Sequence, residues 1–534
     1  MPTLNTQPIL INGAWRPADH PSSTFQAKDP STRATMDEHY PVSRWADLDA
    51  ALAAAAEAVV ALRDTPPAAL ADFLDRYAAN IDARADEIIA TAHQETRLPV
   101  SPRLKAELPR TTNQLRQAAA AARDGSWRLA TIDSANNLRS AYASLGGAVV
   151  VIGPNNFPLA FNGISGGDFA AAVAAGNPVI VKGHPNHPRT TRLLAEAAFE
   201  ALGASGVPKA LVQLVYHMAP RTGLKLVAHP AVAATAFTGS RRSGLALKAA
   251  ADKAGKLFYA EMSSLNPVFI LRGALDERLP EIAQALYASA TLGAGQYCTN
   301  PGLVIVPAGE QGEAFLEATA RLYRDGVPGT LLAENVSANI AAGLHTLQEH
   351  GAAVVTGGRD TQAEGYCFEN SLLRVSGRDF LAQAEPLQTE VFGPVTLVVL
   401  AEDEGEMVEI AESVGGNLSG TLYSHTGGAD EALYPRLAAA LRPKVGRLLN
   451  DKMPTGLLVS PGMNHGGPFP ATGHPGFTAV GIPGSLLRFA ALHSYDNVRE
   501  PRLPAELRDH SPNGRMWRKI DGEWTRGDVP VTGV

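Results

Sequence analysis

Cysteine is almost missing from this chain: 534 residues contain two, Cys298 and Cys367. Two cannot build a disulfide scaffold. Such sparing use fits a reducing compartment, so a cytoplasmic location is expected. Long apolar runs are missing too. No stretch of about 18 apolar residues occurs, so a membrane-spanning helix is not expected. The opening MPTLNTQPILINGAWRPA has neither a basic segment nor a long apolar one, and it does not read as a signal peptide. Positive charge is in deficit: 46 Lys and Arg stand against 53 Asp and Glu, for a formal net charge of −7, with no basic block. Nucleic acid is therefore not expected as a partner. Internal repeats and low-complexity linkers are absent. So is the G-x-G-x-x-G fingerprint after the first buried strand, which argues against an ordinary Rossmann enzyme.

What is present is a soluble, globular composition, 45% apolar and 19% charged. The length is too great for one hydrophobic core, so two or three domains are expected. The N-terminal third is alanine-rich. Trp45 to Leu62 and Ala71 to Gln94 carry apolar residues at helical spacing. A further helix near Leu104 to Arg123 is expected to start at or near Pro109. From about 147 to 262 the rhythm changes. Five short, continuous apolar runs (GAVVVIGP, NPVIVKG, ALVQLVY, ATAFTGS, KLFYAEM) alternate with helical stretches. That alternation predicts a parallel sheet covered by helices. After Asn266 a second alternating region is predicted, with strands at PVFILRG, GLVIVP, AAVVTG, VTLVVLA, LSGTLYS and VGRLLN. Past Gly462 the chain becomes loop-like, and its last forty or so residues read as a tail draped over a surface.

Four polar stretches leave strand ends: GPNNFP (Gly153 to Pro158), VKGHP (Val181 to Pro185), FTGSRRSG (Phe237 to Gly244) and EMSSLNP (Glu261 to Pro267). They follow the first, second, fourth and fifth strands. All therefore face the one sheet edge where doubly wound folds bind cofactors. Gly239 and Ser240 open a helix, whose N–H groups suit a pyrophosphate. Cys298, in GAGQYCTNPG, reads by itself as either a small core residue or a thiol placed for chemistry. Asn156 and Glu261 read equally as a turn residue and a solvated charge. His184 and His187 in HPNHP lack acid partners and a third ligand, and no metal site is expected.

Taken in order, GPNNFP, VIVKGHP, FTGS, EMSSLNP, GQYC and EVFGP (Glu390 to Pro394) resemble the aldehyde dehydrogenase superfamily. The likeness runs from NGAWRPA (Asn12 to Ala18) to HGGPFPATG (His465 to Gly473). EMSSLNP, GQYCTNPG, ELPRTTNQLR and HGGPFPATG are most similar to its NADP-preferring branch, which includes 2-oxoglutarate semialdehyde (2,5-dioxopentanoate) and fatty-aldehyde dehydrogenases. The resemblance implies an α/β fold: a Rossmann-type cofactor domain (1–136, 147–270 and 451–485), an α/β catalytic domain (271–450), and a small oligomerisation ribbon with the C-terminal tail (137–146 and 486–534). It implies a homodimer or homotetramer.

It also implies roles. Cys298 would be the nucleophile, the Asn156 amide with the Cys298 backbone N–H the oxyanion donors, and Glu261, 37 positions upstream of Cys298, the general base. Pro154 and Lys182 would face the cofactor, with Lys182 on the adenosine ribose. Glu390 and Phe392 would position the nicotinamide ribose. Pro185 stands where many NAD-preferring relatives carry a glutamate, and Arg221 could pair with a 2′-phosphate, so NADP is expected over NAD. Gly293 and Gly295 would leave room for nicotinamide and aldehyde. Departures are Asn155 for a frequent tryptophan, Ser263 and Ser264 for two glycines, and the stretch Ser485 to Leu507. A CoA-acylating relative would lack the glutamate base. A cysteine hydrolase or acyltransferase would need a histidine base, and no pattern identifies one. The aldehyde is left open between 2,5-dioxopentanoate and a fatty or aromatic compound.

Overall fold

A computed structural model describes residues 6–361 and 363–530. The first five residues of the opening stretch and the last four of the tail lie outside the described residues.

The five predicted buried runs form the parallel part of a seven-stranded sheet. Its spatial order is Leu257–Glu261, Val232–Thr238, Ala148–Ile152, Val179–Lys182, Val212–Val215, Ile9–Ile11 and Ala14–Arg16. Both faces are covered, so Val149 and Val150 are fully buried. Each such side chain stabilises by roughly 1.5–3 kcal/mol. The second and third runs lie to one side of the first and the fourth and fifth to the other. The chain thus switches direction between Ala148–Ile152 and Val232–Thr238, which places a crevice beyond their carboxyl ends.

The second alternating region forms another seven-stranded sheet, ordered Ala353–Thr356, Ser371–Ser376, Val395–Ala401, Leu303–Pro307, Val268–Ile270, Asn417–Tyr423 and Val445–Asn450. Ser371–Ser376 is a strand the sequence reading omits. It is central to its neighbours, parallel to Val395–Ala401 and antiparallel to Ala353–Thr356.

The helical third differs in two places. The single helix expected over Ala71 to Gln94 is two, Pro67–Ala83 and Ala85–Thr96, because Arg84 leaves helical geometry at φ −111°, ψ 20°. Its guanidinium there bonds Glu87 and Glu196, each at 3.0 Å. The next helix is Lys105–Asp124 and includes Pro109, rather than beginning there. A proline so near the N-terminus forfeits one helical hydrogen bond and does not break the helix.

The C-terminal segment is not a draped tail. Ala490–Asp496 pairs along the whole of Leu138–Ser144. Arg518–Ile520 and Glu523–Thr525 complete a five-stranded sheet through Thr131–Asp133. Its core is Ile132, Ala141, Leu503, Leu507, Met516 and Ile520. Buried Arg139 ties it together, donating to the Leu507 carbonyl at 2.6 Å and to Asp509 at 2.8 Å. Among the described residues no helix is long and apolar enough to cross a membrane.

Candidate active site

A cleft of about 870 Å³ opens beyond the carboxyl ends of the first sheet. Pro154, Asn156, Lys182, Pro185, Gly239, Ser240, Glu261, Cys298, Glu390 and Phe392 all line it. Of the side chains expected to carry catalysis or bind the cofactor, Arg221 is not brought in. It is exposed, the second residue of the helix Pro220–Val227, and lies off the wall. Arg241, which opens the helix after FTGS, does line the cleft, although the sequence reading passed over it.

At one end stands Cys298, half-buried. Its backbone carbonyl accepts from Asn266 Nδ2 at 2.9 Å. Asn266 is itself held by Asn417 Oδ1, which also accepts from the Leu265 N–H at 2.7 Å. The EMSSLNP turn thus hangs on the first residue of a strand in the second sheet and fixes the cysteine loop. Burial pushes the Cys298 thiol well above its ordinary value. The charge of Glu261, and its acceptance of the thiol proton, push the same way, against a pull from Arg110.

The sequence reading missed the third member of this cluster. His465, buried, places Nε2 at 3.5 Å from Cys298 Sγ and 3.1 Å from Glu261 Oε1. The loop carrying HGGPFPATG runs along the end of Leu257–Glu261, through Met262 N–H to Ala471 O at 2.8 Å and Gly473 N–H to Ala260 O at 2.9 Å. His465 is pinned by its own N–H to Thr478 Oγ1 at 3.0 Å and by the ring of Phe161, 5.6 Å away. The other Glu261 oxygen, Oε2, is buried with no partner. The thiol, carboxylate and imidazole atoms lie within 4.8 Å of one another, the one group among the described residues close enough to hold a metal ion. The same contacts suit proton transfer from sulfur and from a water beside Glu261 Oε2.

Asn156 Nδ2 donates to the Gln296 carbonyl at 3.0 Å. A carboxamide has two N–H donors, so one is left for a second acceptor. The Asn156 loop is built from below. Arg103 Nη2 donates to the Asn156 carbonyl at 2.9 Å and pairs with buried Glu107. Glu107 Oε1 accepts from the N–H groups of Leu159 at 3.0 Å and Ala160 at 2.8 Å. Arg103 and Glu107 are four apart, a spacing that is readable, but their reach to residues some fifty positions on is not.

The glycines beside Cys298 also meet a packing need. A Cβ on Gly295, at φ +69°, would lie 2.2 Å from the Gly393 carbonyl oxygen. Gly295 therefore admits the EVFGP backbone. Gly293 backs onto the Tyr297 ring, where a Cβ would approach to 2.9 Å. Glu390 is pushed up to about 7 by burial, with the Ser264 N–H and Ser263 hydroxyl pulling back and the Glu261 charge adding. At the far end Lys182 is brought down to about 8 by burial. His217 falls to about 4 through burial and the Lys182 charge, and its Nδ1 is buried with no partner. His187 spends its ring holding the loop, with Nε2 on the Pro154 carbonyl at 3.1 Å. Gly239 donates its N–H to the Glu261 carbonyl at 3.2 Å, so any anion there meets the helix start after it. The residues fit an elongated ligand with anionic and hydroxyl groups: Lys182 and the His217 ring at one end, a helix N-terminus between, a carboxyl at the other.

A doubly wound sheet with a large cleft at its switch point, and a thiol brought to that cleft from the second α/β region, suit a nucleotide-type ligand beside a nucleophile. Residues 15–441 match the model of the aldehyde dehydrogenase family, and the chain belongs to that family. It is 38% identical over 508 residues to alpha-ketoglutaric semialdehyde dehydrogenase 2 of Azospirillum brasilense, covering 92% of this chain and 94% of that one. It is 35% identical over 514 residues to alpha-ketoglutaric semialdehyde dehydrogenase of Acinetobacter baylyi, covering 93% of each. Its fold matches the crystal structure of a 1-pyrroline-5-carboxylate dehydrogenase from Thermus with bound NAD, at a TM-score of 0.79, 24% identity and 92% of each chain.

Proposed function

We propose that this enzyme oxidises an aldehyde to a carboxylic acid through a thioester on Cys298, with NADP preferred over NAD. The observation that carries this reading is the contact of Cys298, His465 and Glu261 beside the long cleft. Cys298 Sγ attacks the aldehyde carbon while its proton passes to the His465–Glu261 pair. The free N–H of Asn156 steadies the oxyanion of the thiohemiacetal. The dinucleotide, when bound, supplies the hydride acceptor. Water then cleaves the thioester, with the unpartnered Oε2 of Glu261 taking its proton. Lys182 holds the adenosine ribose and Glu390 and Phe392 the nicotinamide ribose.

NADP preference rests on the cleft's acids. Glu261 and Glu390 stand at the Cys298 end, and among the described residues no carboxylate lines the wall near Lys182 and Pro185 to repel a 2′-phosphate. Arg221 would have to swing in to add a second positive group. The names of the two relatives make alpha-ketoglutaric semialdehyde a candidate substrate. The division into cofactor, catalytic and ribbon parts belongs to this proposal, as do a cytoplasmic location and a homodimer or homotetramer. Leu138, Leu492 and Trp524, exposed on the small sheet, and Trp517 beside it are suited to a subunit contact.

His465 also favours a second reading, a cysteine esterase or acyltransferase, because the histidine base it needs is present. Reduction of NADP on adding aldehyde separates the two, since an esterase needs no dinucleotide. The test is an aldehyde panel read by NADPH absorbance, with kcat/KM for NADP and NAD. Cys298→Ala is expected to abolish the signal; full activity in that variant, or a clear NAD preference, refutes the corresponding part.

A further inference from the structure

Beside the cysteine loop lies a guanidinium that has no hydrogen-bonded counter-ion among the described residues. Arg110 follows Glu107 by one turn in Lys105–Asp124. Its Cζ stands 5.5 Å from the centre of the Phe157 ring and 5.1 Å from that of Phe161. Its Nε and Nη2 are buried with no hydrogen-bond partner. The contrast with Arg103 is direct. Arg103 has Glu107 and the Asn156 carbonyl. Glu107 is then spent, one oxygen on Arg103 and the other on two backbone N–H groups. Two guanidinium groups share one carboxylate, and Arg110 is the one left over. Buried guanidinium donors without an acceptor are costly.

Its position gives that cost a use. Phe161 touches Arg110 on one side and the His465 ring on the other, and His465 touches Cys298. Tyr297, the neighbour of Cys298, packs on Phe157 with ring centres 5.2 Å apart. One aromatic layer thus separates Arg110 from the reactive sulfur. Arg110 does not line the dinucleotide cleft, so what meets it there is not the cofactor. A guanidinium with unspent parallel donors is built for a carboxylate.

We propose that Arg110 selects the substrate, binding the terminal carboxylate of a short acidic aldehyde whose carbonyl carbon lies at Cys298. An uncharged aldehyde would leave those buried donors without an acceptor, so fatty and aromatic aldehydes are poor substrates. The inference rests on Cys298 being the nucleophile.

The test compares kcat/KM for 5-oxopentanoate and its methyl ester, with NADP. Wild type is expected to favour the acid by on the order of 100-fold. In Arg110→Gln that ratio falls toward unity, chiefly through KM for the acid. Arg110→Lys, which keeps the charge and loses the fork, retains an intermediate ratio and serves if the glutamine variant does not fold. An unchanged ratio in Arg110→Gln, or equal use of acid and ester by wild type, overturns the assignment. Binding is read separately by thermal shift with glutarate in Cys298→Ala. A rise in Tm that disappears in Cys298→Ala/Arg110→Gln supports the site even if no aldehyde yields NADPH. No rise in either overturns it.

Discussion

Replacing Glu261 with glutamine removes a negative charge lying within 4.8 Å of the Cys298 sulfur. It also removes the acceptor of the thiol proton. Both influences hold the thiol protonated, so their loss lowers its pKa. At 4.8 Å two unit charges interact by about 3.5 kcal/mol at an effective dielectric of about 20. That is equivalent to about 2.5 pH units in the midpoint of the thiol. The thiolate fraction at neutral pH then rises by a few hundredfold, while a less basic thiolate is a weaker nucleophile with a Brønsted slope of about 0.45. The net expectation is an alkylation rate about 25-fold faster in Glu261→Gln. The assay is pseudo-first-order inactivation by iodoacetamide at pH 7 without cofactor, with the labelled peptide identified by mass. A rate equal to wild type or slower refutes the reasoning, because it would mean that Glu261 assists thiolate formation at rest.

Other consequences follow from the same contacts. His465→Asn removes the imidazole between sulfur and carboxylate, and kcat/KM for the aldehyde is expected to fall on the order of 10²-fold; a loss under threefold contradicts a role in proton transfer. Glu390 accepts from a ribose hydroxyl best as a carboxylate, and its pKa is pushed up to about 7. KM for the dinucleotide should therefore fall as pH rises through 7, and the dependence should flatten in Glu390→Gln. Glu107→Gln strips the shared anion from Arg103 and Arg110. Breaking such a buried pair costs about 3–5 kcal/mol, to be read from the urea midpoint, and a change below about 0.5 kcal/mol refutes the structural account of the Asn156 loop.

How much of this was legible in the sequence can be followed residue by residue. The first sheet's parallel strands are continuous valine- and alanine-rich runs, and burial on both faces is what makes a strand read that way. Because the runs fall in one direction, their exit loops collect at one edge. That is why Asn156, Lys182, Gly239 and Glu261 line a single cleft. Ser371–Ser376 was not legible, since Arg374 interrupts a short mixed segment that gains strand form from pairing on both sides. The terminal strands escaped notice for a like reason: Ala490–Asp496 is mostly exposed and takes its shape from Leu138–Ser144. His465 lies 167 residues from Cys298 in a loop without periodicity, so neither spacing nor patterning could couple them. Arg221 fell off the wall because a turn's direction, unlike a strand's, is not written in alternation. Arg110 stood in the ELPRTTNQLR motif without a role, and only the commitment of both Glu107 oxygens elsewhere exposes its unsatisfied donors.

The most direct test of the account is a single mixing experiment. Glu261→Gln is combined with NADP and 5-oxopentanoate, NADPH is followed from the first turnover, and the protein is then digested for mass analysis. The account predicts a burst of one NADPH per active site, a stop, and an acyl group on Cys298 awaiting hydrolysis. Sustained turnover at the wild-type rate, or a burst with no acyl group on Cys298, would contradict it.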